Sequence, residues 1–398
     1  MKIGLSKFLS ENLSVSLDPD FRSQLFESAV AVKGSVASIA RHIGVHPCSV
    51  RRWRNGISFP KLTFLKKVAD VAGVSEEEVY KNIVSVTAKR KSNAIPFVRE
   101  LVVDEEFTEW FGLWKGDGCI RKALYDVAFS NEDPELHRFF MRMLQERFGF
   151  SKHLFYVSLR VPDSVQVDVQ RLRVSWSKEL ELPLNRVKNY TKPSLGIVAD
   201  LFASSAALAW LLKALEGPLE KTIEKSSAEI KRAYLRGYYA AEGSVDTRNH
   251  GIMISGKNFE ELLFISRLLN SIKIQHRFHF YDTFGQIRVV SWQIREFQKL
   301  VGFGVNKKRQ RALEKLVRSH EQHRLPQELR LAQIYKESTH QKDVTISRLM
   351  KRLNLSHERV RGLLHVLVDQ RILCVDKRRR SHKFYLVNNI AGTENRHG

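Results

Sequence analysis

The chain has 398 residues, with 66 Lys and Arg against 43 Asp and Glu, a formal charge of +23 and a pI of about 10.0. So large a positive balance points to a polyanion partner. A hydrophobic content of 43 % excludes a merely solvated basic tail and allows two to four domains. No apolar run reaches membrane-spanning length, and the N-terminus has no signal-peptide core. Cys48, Cys119 and Cys374 are too far apart for a disulfide framework or a metal-ligand spacing, so a reducing, cytoplasmic location is expected, nucleoid-associated in a prokaryote.

Residues 1–88 read as an all-α domain. Phe21–Val32 is periodic, and Ser35 is placed to cap a helix over Val36–Ile43. Gly44-Val-His46 makes a turn, and Pro47 opens a third helix ending near Arg54. Leu62–Ala72 and Ser75–Ile83 continue the bundle. Short helix, glycine turn and basic helix together resemble the helix-turn-helix of phage-repressor-like regulators. Val50 and Trp53 face inward at i, i+3, which leaves Ser49, Arg51, Arg52 and Arg54 for phosphates or base edges. Residues 89–97, polar, charged and ending in proline, read as a linker.

Residues 98–318 carry an internal repeat, about 98–217 and 228–318. In the first copy a helix ends at Asp117, and strands follow near Cys119–Arg121 and Tyr125–Phe129. A helix spans Pro134–Phe148, strands lie near Phe155–Val161 and Val165–Trp176, and Ser204–Leu215 is a helix. The second copy repeats this order. Its first helix ends at Glu242, with strands near Ser244–Val245 and Ile252–Ser255, a helix at Asn258–Ser271, and strands near Gln275–Phe280 and Gln286–Val290. Helices at Ile294–Val301 and Lys307–Leu316 close it. The expected class is α+β, a pseudo-twofold pair of αββαββα repeats whose two four-stranded antiparallel sheets form a saddle over DNA. Candidate readers on the sheet faces are Arg160, Gln166, Asp168, Gln170, Arg173, His276, Arg277, His279 and Arg288.

Residues 326–388 read as a second DNA-binding module resembling a winged helix. Helices are expected at Gln327–Lys336, Val344–Leu353 and Ser356–Gln370, the last capped by Ser356 with Arg359 and Arg361 in its first turns. A β-hairpin would present Lys377, Arg378, Arg379 and Arg380 to phosphates. Residues 389–398 show no core pattern and are expected to be disordered.

Two segments repeat one unusual helix ending: Trp110-Phe-Gly-Leu-Trp-Lys-Gly-Asp-Gly118 and Leu235-Arg-Gly-Tyr-Tyr-Ala-Ala-Glu-Gly243. Gly112 and Gly116, like Gly237 and Ala241, lie four apart on one helix face, so the two helices can pack with their backbones nearly touching. An acid in the last turn opposes the helix dipole, yet it occurs at the same place twice. These segments resemble the LAGLIDADG motif of homing endonucleases and intein endonuclease domains. The resemblance implies metal-dependent cleavage of both strands of duplex DNA. Asp117 and Glu242 would bind Mg²⁺ or Mn²⁺, the carbonyls of Gly116 and Ala241 would help, and Lys257 would assist the reaction. The first copy has Ser130-Asn131-Glu132 where the second has Lys257, and Lys115 stands where the family often has an acid, to be either exposed or paired with Asp117. Two further readings stay open: a DNA-binding transcription regulator on the same fold without cleavage, and an RNA-binding intron maturase. With both halves in one chain, a monomer suffices.

Overall fold

Side-chain caps set the helix starts of the N-terminal segment. After strands β1 (Lys2–Gly4) and β2 (Ser14–Leu17), Asp18 accepts from the amides of Asp20 and Phe21 and starts α1 (Pro19–Lys33). Ser35 starts α2 (Val36–Ile43), and Gly44, left-handed at φ 77°, turns the chain into α3 (Pro47–Arg54). α4 (Leu62–Ala72) follows, then α5 (Glu76–Lys81), capped by Ser75. Val50 and Trp53 are buried as the spacing predicts, with Trp53 stacked on Phe64.

This segment is not all-α. β3 (Ile83–Thr87) pairs antiparallel with β2 and with β4 (Ile95–Pro96), and β1 pairs with β5 (Glu100–Val102). The β-branched run Ile83-Val-Ser-Val-Thr87 favours an extended backbone over the helix expected to reach Ile83. The expected linker therefore contains a strand. Asn93 is also held to the central region: its amide donates to the Ser204 carbonyl (2.8 Å) and its carbonyl accepts from the Ser205 hydroxyl (2.9 Å).

The structure is a computed structural model that describes every residue except 89–92, 122–125, 163, 165–166, 192–195, 247–250, 324–333, 335–343, 354, 370–371, 377–382 and 387–398. Gln166, Lys377, Arg378, Arg379 and Arg380, like the tail at 389–398, therefore lie outside the described residues. The chain divides into two units, Met1–Leu313 and Glu314–Gly398.

The first repeat runs α6 (Glu105–Asp117), β6 (Gly118–Ile120), β7 (Asp126–Asn131), α7 (Pro134–Phe148), β8 (Phe155–Val161), α8 (Val169–Leu180), β9 (Val187–Thr191), β10 (Val198–Ser204) and α9 (Ala206–Lys225). Its sheet has five strands in the order β6-β7-β10-β8-β9, with β8 and β9 parallel, where four antiparallel strands were expected. The alternation read as a strand through Trp176 stops at Asp168, which caps α8 by accepting from the Arg171 amide (3.0 Å). Beyond it Trp176 and Leu180 are buried at helical spacing.

The second repeat is closer to expectation: α10 (Ala228–Glu242), β11 (Ser244–Asp246), β12 (Gly251–Gly256), α11 (Phe259–Ser271), β13 (His276–Phe280), β14 (Gly285–Val289), α12 (Ile294–Leu300) and α13 (Lys307–His323). Its sheet is four-stranded and antiparallel, in the order β11-β12-β14-β13.

The repeats join through α6 and α10. A Cβ on Gly237 would lie 1.8 Å from the Glu109 carbonyl oxygen, and one on Gly112 would lie 2.2 Å from that of Tyr234. The helix backbones thus touch where only hydrogen fits between them. Arg236 pairs with the largely buried Glu109 across the same seam (3.1 Å).

The second unit has β15 (Val344–Thr345), α14 (Ile346–Leu353), α15 (His357–Asp369), β16 (Leu373–Asp376) and β17 (Lys383–Leu386), with an antiparallel sheet in the order β15-β17-β16. Its core gathers Ile334, Leu349, Val360, Leu363, Leu364, Leu367, Leu373 and Phe384. The Ser356 hydroxyl caps α15 by accepting from the Arg359 amide (3.4 Å).

Replacing Gly237 with Ala should lower the unfolding free energy by about 3 kcal/mol. Gly217→Ala within α9, where an added Cβ meets nothing within 4 Å, should be neutral or stabilising by up to about 1 kcal/mol. Chemical denaturation of the two variants checks the contrast. Equal stability would mean that the helices are not in backbone contact.

Candidate active site

The close helix packing brings the two acids together. Asp117 ends α6 and Glu242 ends α10. One residue earlier, a Cβ on Gly116 would sit 2.4 Å from the Ala241 Cβ and 3.1 Å from the Glu242 Cγ. The glycines that follow the acids do not serve as left-handed caps, since Gly118 has φ −92° and Gly243 φ −70°. They are needed for space: a Cβ would lie 2.0 Å from the Trp114 ring at Gly118, and 2.5 Å from the Tyr239 carbonyl oxygen at Gly243. The chain therefore leaves each helix directly into an extended strand, with the carboxylate at the junction.

Burial, joined by the neighbouring Glu242 charge, pushes the Asp117 carboxyl up to about 7. Two groups oppose that rise: Asn131 and Arg309. The Asn131 amide donates to Asp117 Oδ2 (2.6 Å), while its own carbonyl oxygen accepts from the Asp133 amide (2.9 Å) and fixes the side chain. Glu242 is also raised by burial, against the pull of Arg309, although its side chain reaches solvent.

Arg309 lies in the first turn of α13. Its guanidinium donates to the carbonyls of Ala240 (2.6 Å), Tyr239 (3.4 Å) and Ala241, the last carbonyls of α10. Asn306 supports it from both sides, giving its amide to the Ala240 carbonyl (2.9 Å) and accepting the Arg309 backbone N–H (3.0 Å). Burial lowers the Arg309 pKa and the two acids raise it. The guanidinium thus completes the end of α10 and partly compensates the acid pair. It also engages the Ala241 carbonyl that was expected to face a metal.

Two close carboxylates with raised pKa values and one oxygen of Asp117 not held by Asn131 suit a hard dication, which relieves their repulsion. Among the described residues no group of three or more His, Cys, Asp and Glu side chains is arranged to hold a metal. Any ion here would bind through the two acids and keep several of its waters, as Mg²⁺ commonly does.

Lys115 is neither exposed nor paired with Asp117. It is largely buried beside Glu216, with Glu220 at 3.1 Å and Glu261 at 3.8 Å. Burial pushes Glu261 up to about 7 despite that lysine. Lys257 lies exposed just past β12.

The sheet candidates divide. On the first sheet Arg160 is paired with Asp200 (2.8 Å), which also accepts from Ser130 and Tyr190. Arg173 lies on α8, not on a strand, and its guanidinium donates to the Val187 carbonyl (2.8 Å), fastening the helix to β9. Asp168 is a helix cap, and His276 turns to Ser266 (2.7 Å). On the second sheet Arg277 and His279 are exposed, and Arg277 stands directly opposite Arg288. Arg51, Arg52 and Arg54 are exposed on α3, with Ser49 half-buried, and Arg359 and Arg361 are exposed on α15. Arg309 and Asn131 were not foreseen. The sequence signal for the first was the Asn306-Lys-Lys-Arg309 start of α13, and for the second its place in the stretch matching Lys257.

A family model described as a LAGLIDADG-like domain matches residues 104–160 and again 229–286. Each match begins thirteen residues before its acid (117 − 104 and 242 − 229). The chain therefore holds a LAGLIDADG-like domain in two repeats. Among solved structures, I-DmoI in complex with DNA and Ca is 17 % identical, over 51 % of this chain and 92 % of that chain, with a TM-score of 0.33. I-DmoI in complex with DNA and Mn is 18 % identical, over 51 % and 98 %, at 0.30. Full-length DUF199/WhiA from Thermatoga maritima is 13 % identical, over 69 % and 93 %, at 0.32. No curated protein matches the chain in sequence. No helix among the described residues is long and apolar enough to cross a membrane.

The raised Asp117 pKa sets a pH signature. The native state keeps this proton above the ordinary carboxylate value of 3.8, where the unfolded chain has released it. Its contribution to stability is full below about pH 4 and is lost as pH rises through about 7. Asp117→Asn should match the parent in thermal melts near pH 4 and exceed it by on the order of 2 kcal/mol at about pH 8. A residual slope should remain, because Glu242 and Glu261 shift the same way. A constant gap across pH would show that Asp117 titrates normally.

Proposed function

We propose that this chain is a site-specific duplex-DNA endonuclease of LAGLIDADG type that hydrolyses phosphodiesters with a divalent metal at Asp117 and Glu242. The observation that carries the reading is the convergence of one acid from each repeat at the shared end of two helices in backbone contact. A bound Mg²⁺ or Mn²⁺ supplies Lewis-acid activation of water and of the leaving oxygen. The protein's own groups do the rest. Asn131 holds one oxygen of Asp117 and leaves the other available. Arg309 and Asn306 rigidify the end of α10, so Glu242 leaves the helix at a fixed point. Lys257, exposed just past β12, would assist proton transfer or contact a phosphate. Exposed arginines of α3, α15 and the second sheet (Arg51, Arg52, Arg54, Arg359, Arg361 and Arg277) serve as phosphate or base contacts. In this reading the flanking modules are helix-turn-helix and winged-helix readers.

A second reading, a DNA-binding regulator without cleavage, is favoured by Arg309. Its guanidinium already engages the Ala241 carbonyl and offsets both acids without a metal.

Duplexes selected from a random pool by the full chain, then incubated with Mg²⁺ or Mn²⁺, separate the two. The nuclease reading expects strand breaks that increase as pH rises through about 7, because Asp117 must lose its proton to take a metal. Asp117→Asn and Glu242→Gln should each reduce cleavage by about a thousandfold or more, with duplex affinity unchanged. Protected but unbroken duplexes at every pH would decide for the regulator.

A further inference from the structure

On the outer face of the second sheet, Arg277 of β13 stands directly opposite Arg288 of β14. Like charges in that position destabilise a sheet. The pairing is built in nonetheless: an added Cβ on Gly251 would lie 2.8 Å from Arg288 Nε, so the missing side chain is what lets that guanidinium lie across β12. Arg277 has no ion-pair partner among the described residues. Beside the two arginines opens a cavity of about 320 Å³, lined by Arg277, His279, Arg288, Val289, Val290, Ser291 and Trp292. Trp292 is 52 % exposed, and its indole N–H is already used, donating to Gln275 Oε1 at 3.0 Å. The ring is therefore held by its edge while much of its surface stays open.

We propose that this cavity binds one unstacked nucleotide of a DNA strand, with the base on Trp292 and its phosphate against Arg277. Three requirements meet there. Arg277, exposed and without an ion-pair partner among the described residues, offers a cation to a phosphate. An oriented, exposed indole offers the stacking surface that sequence-tolerant single-strand binding uses. The volume admits a base with its sugar, whereas a base pair buried in a duplex stack cannot enter. The inference rests on the DNA-binding reading and specifies the state of the nucleic acid at this face: locally unpaired or extrahelical.

The test uses the full chain and three fluorescein-labelled probes: a plain duplex, the same duplex with one unpaired thymidine, and a short thymidine oligonucleotide. Anisotropy titrations should show tighter binding to the unpaired-thymidine duplex than to the plain one. Trp292→Ala should erase that preference through a loss of about tenfold in affinity for the bulged and single-stranded probes, leaving the plain duplex unchanged. Arg277→Gln, which also removes a duplex contact, should weaken all three probes, and the bulged and single-stranded ones most. Trp210→Ala, at the 39 % exposed tryptophan of α9, should change nothing. Equal affinity for bulged and plain duplexes, or an equal loss on both in Trp292→Ala, would overturn the pocket while leaving duplex binding intact. Failure to bind any duplex would remove the DNA-binding reading and the pocket together.

Discussion

Backbone contact between α6 and α10 is the constraint on which the rest depends. Gly112 and Gly237 remove the side chains that would hold the helices apart. Each repeat has one helix whose apolar face needs a partner, and the other repeat supplies it. The buried Trp110, Phe111, Tyr234 and Tyr238 lie in these same helices, so the two halves share a core and the seam is no mere domain interface. The same contact sets the chemistry. Helices this close cannot keep their terminal carboxylates apart: burial raises both pKa values, and the Glu242 charge adds to the rise of Asp117.

The molecule answers that repulsion with its own cation. Arg309 comes from the last helix of the second repeat and uses the last carbonyls of α10 as its anchor. A cation at a helix C-terminus is favoured by the dipole. Here it also faces the two acids that oppose that dipole. The guanidinium therefore compensates the acid pair from within the fold, and a dication bound there, as proposed above, would share that work.

The helix endings were legible because their pattern is local and doubled: small residues four apart, then acid, then glycine. The caps Ser35 and Ser356 were legible for the same reason, whereas the Asp18 cap was not read. The alternation at residues 165–170 misled, since two-residue periodicity persists for a few positions before Asp168 commits the chain to a helix. β10 sits at the middle of the first sheet, and its run of Val198–Ser204 gave no separate signal because it passes straight into a helix cap at Ser205. Strands of two or three residues, such as β1 and β4, carry too little sequence to show a period. Contacts across long separations stayed out of reach: Arg309 meets α10 nearly seventy residues upstream, 309 against 240. Lys115 was misjudged because its glutamate partners lie on α9 and α11, which only the fold brings near it.

The two sheets are unequal. The first has an added parallel strand, and its outer face largely satisfies its own charges: Arg160 is held by Asp200, and Arg121 lies over the Phe202 ring at 3.9 Å. The second presents Arg277, His279 and Arg288. A palindrome offers identical half-sites to both sides of a binding surface, and surfaces this different cannot read them alike. In the DNA-binding reading, a duplex that fits both halves would have to be asymmetric in sequence, which would give the chain a preferred heading along it.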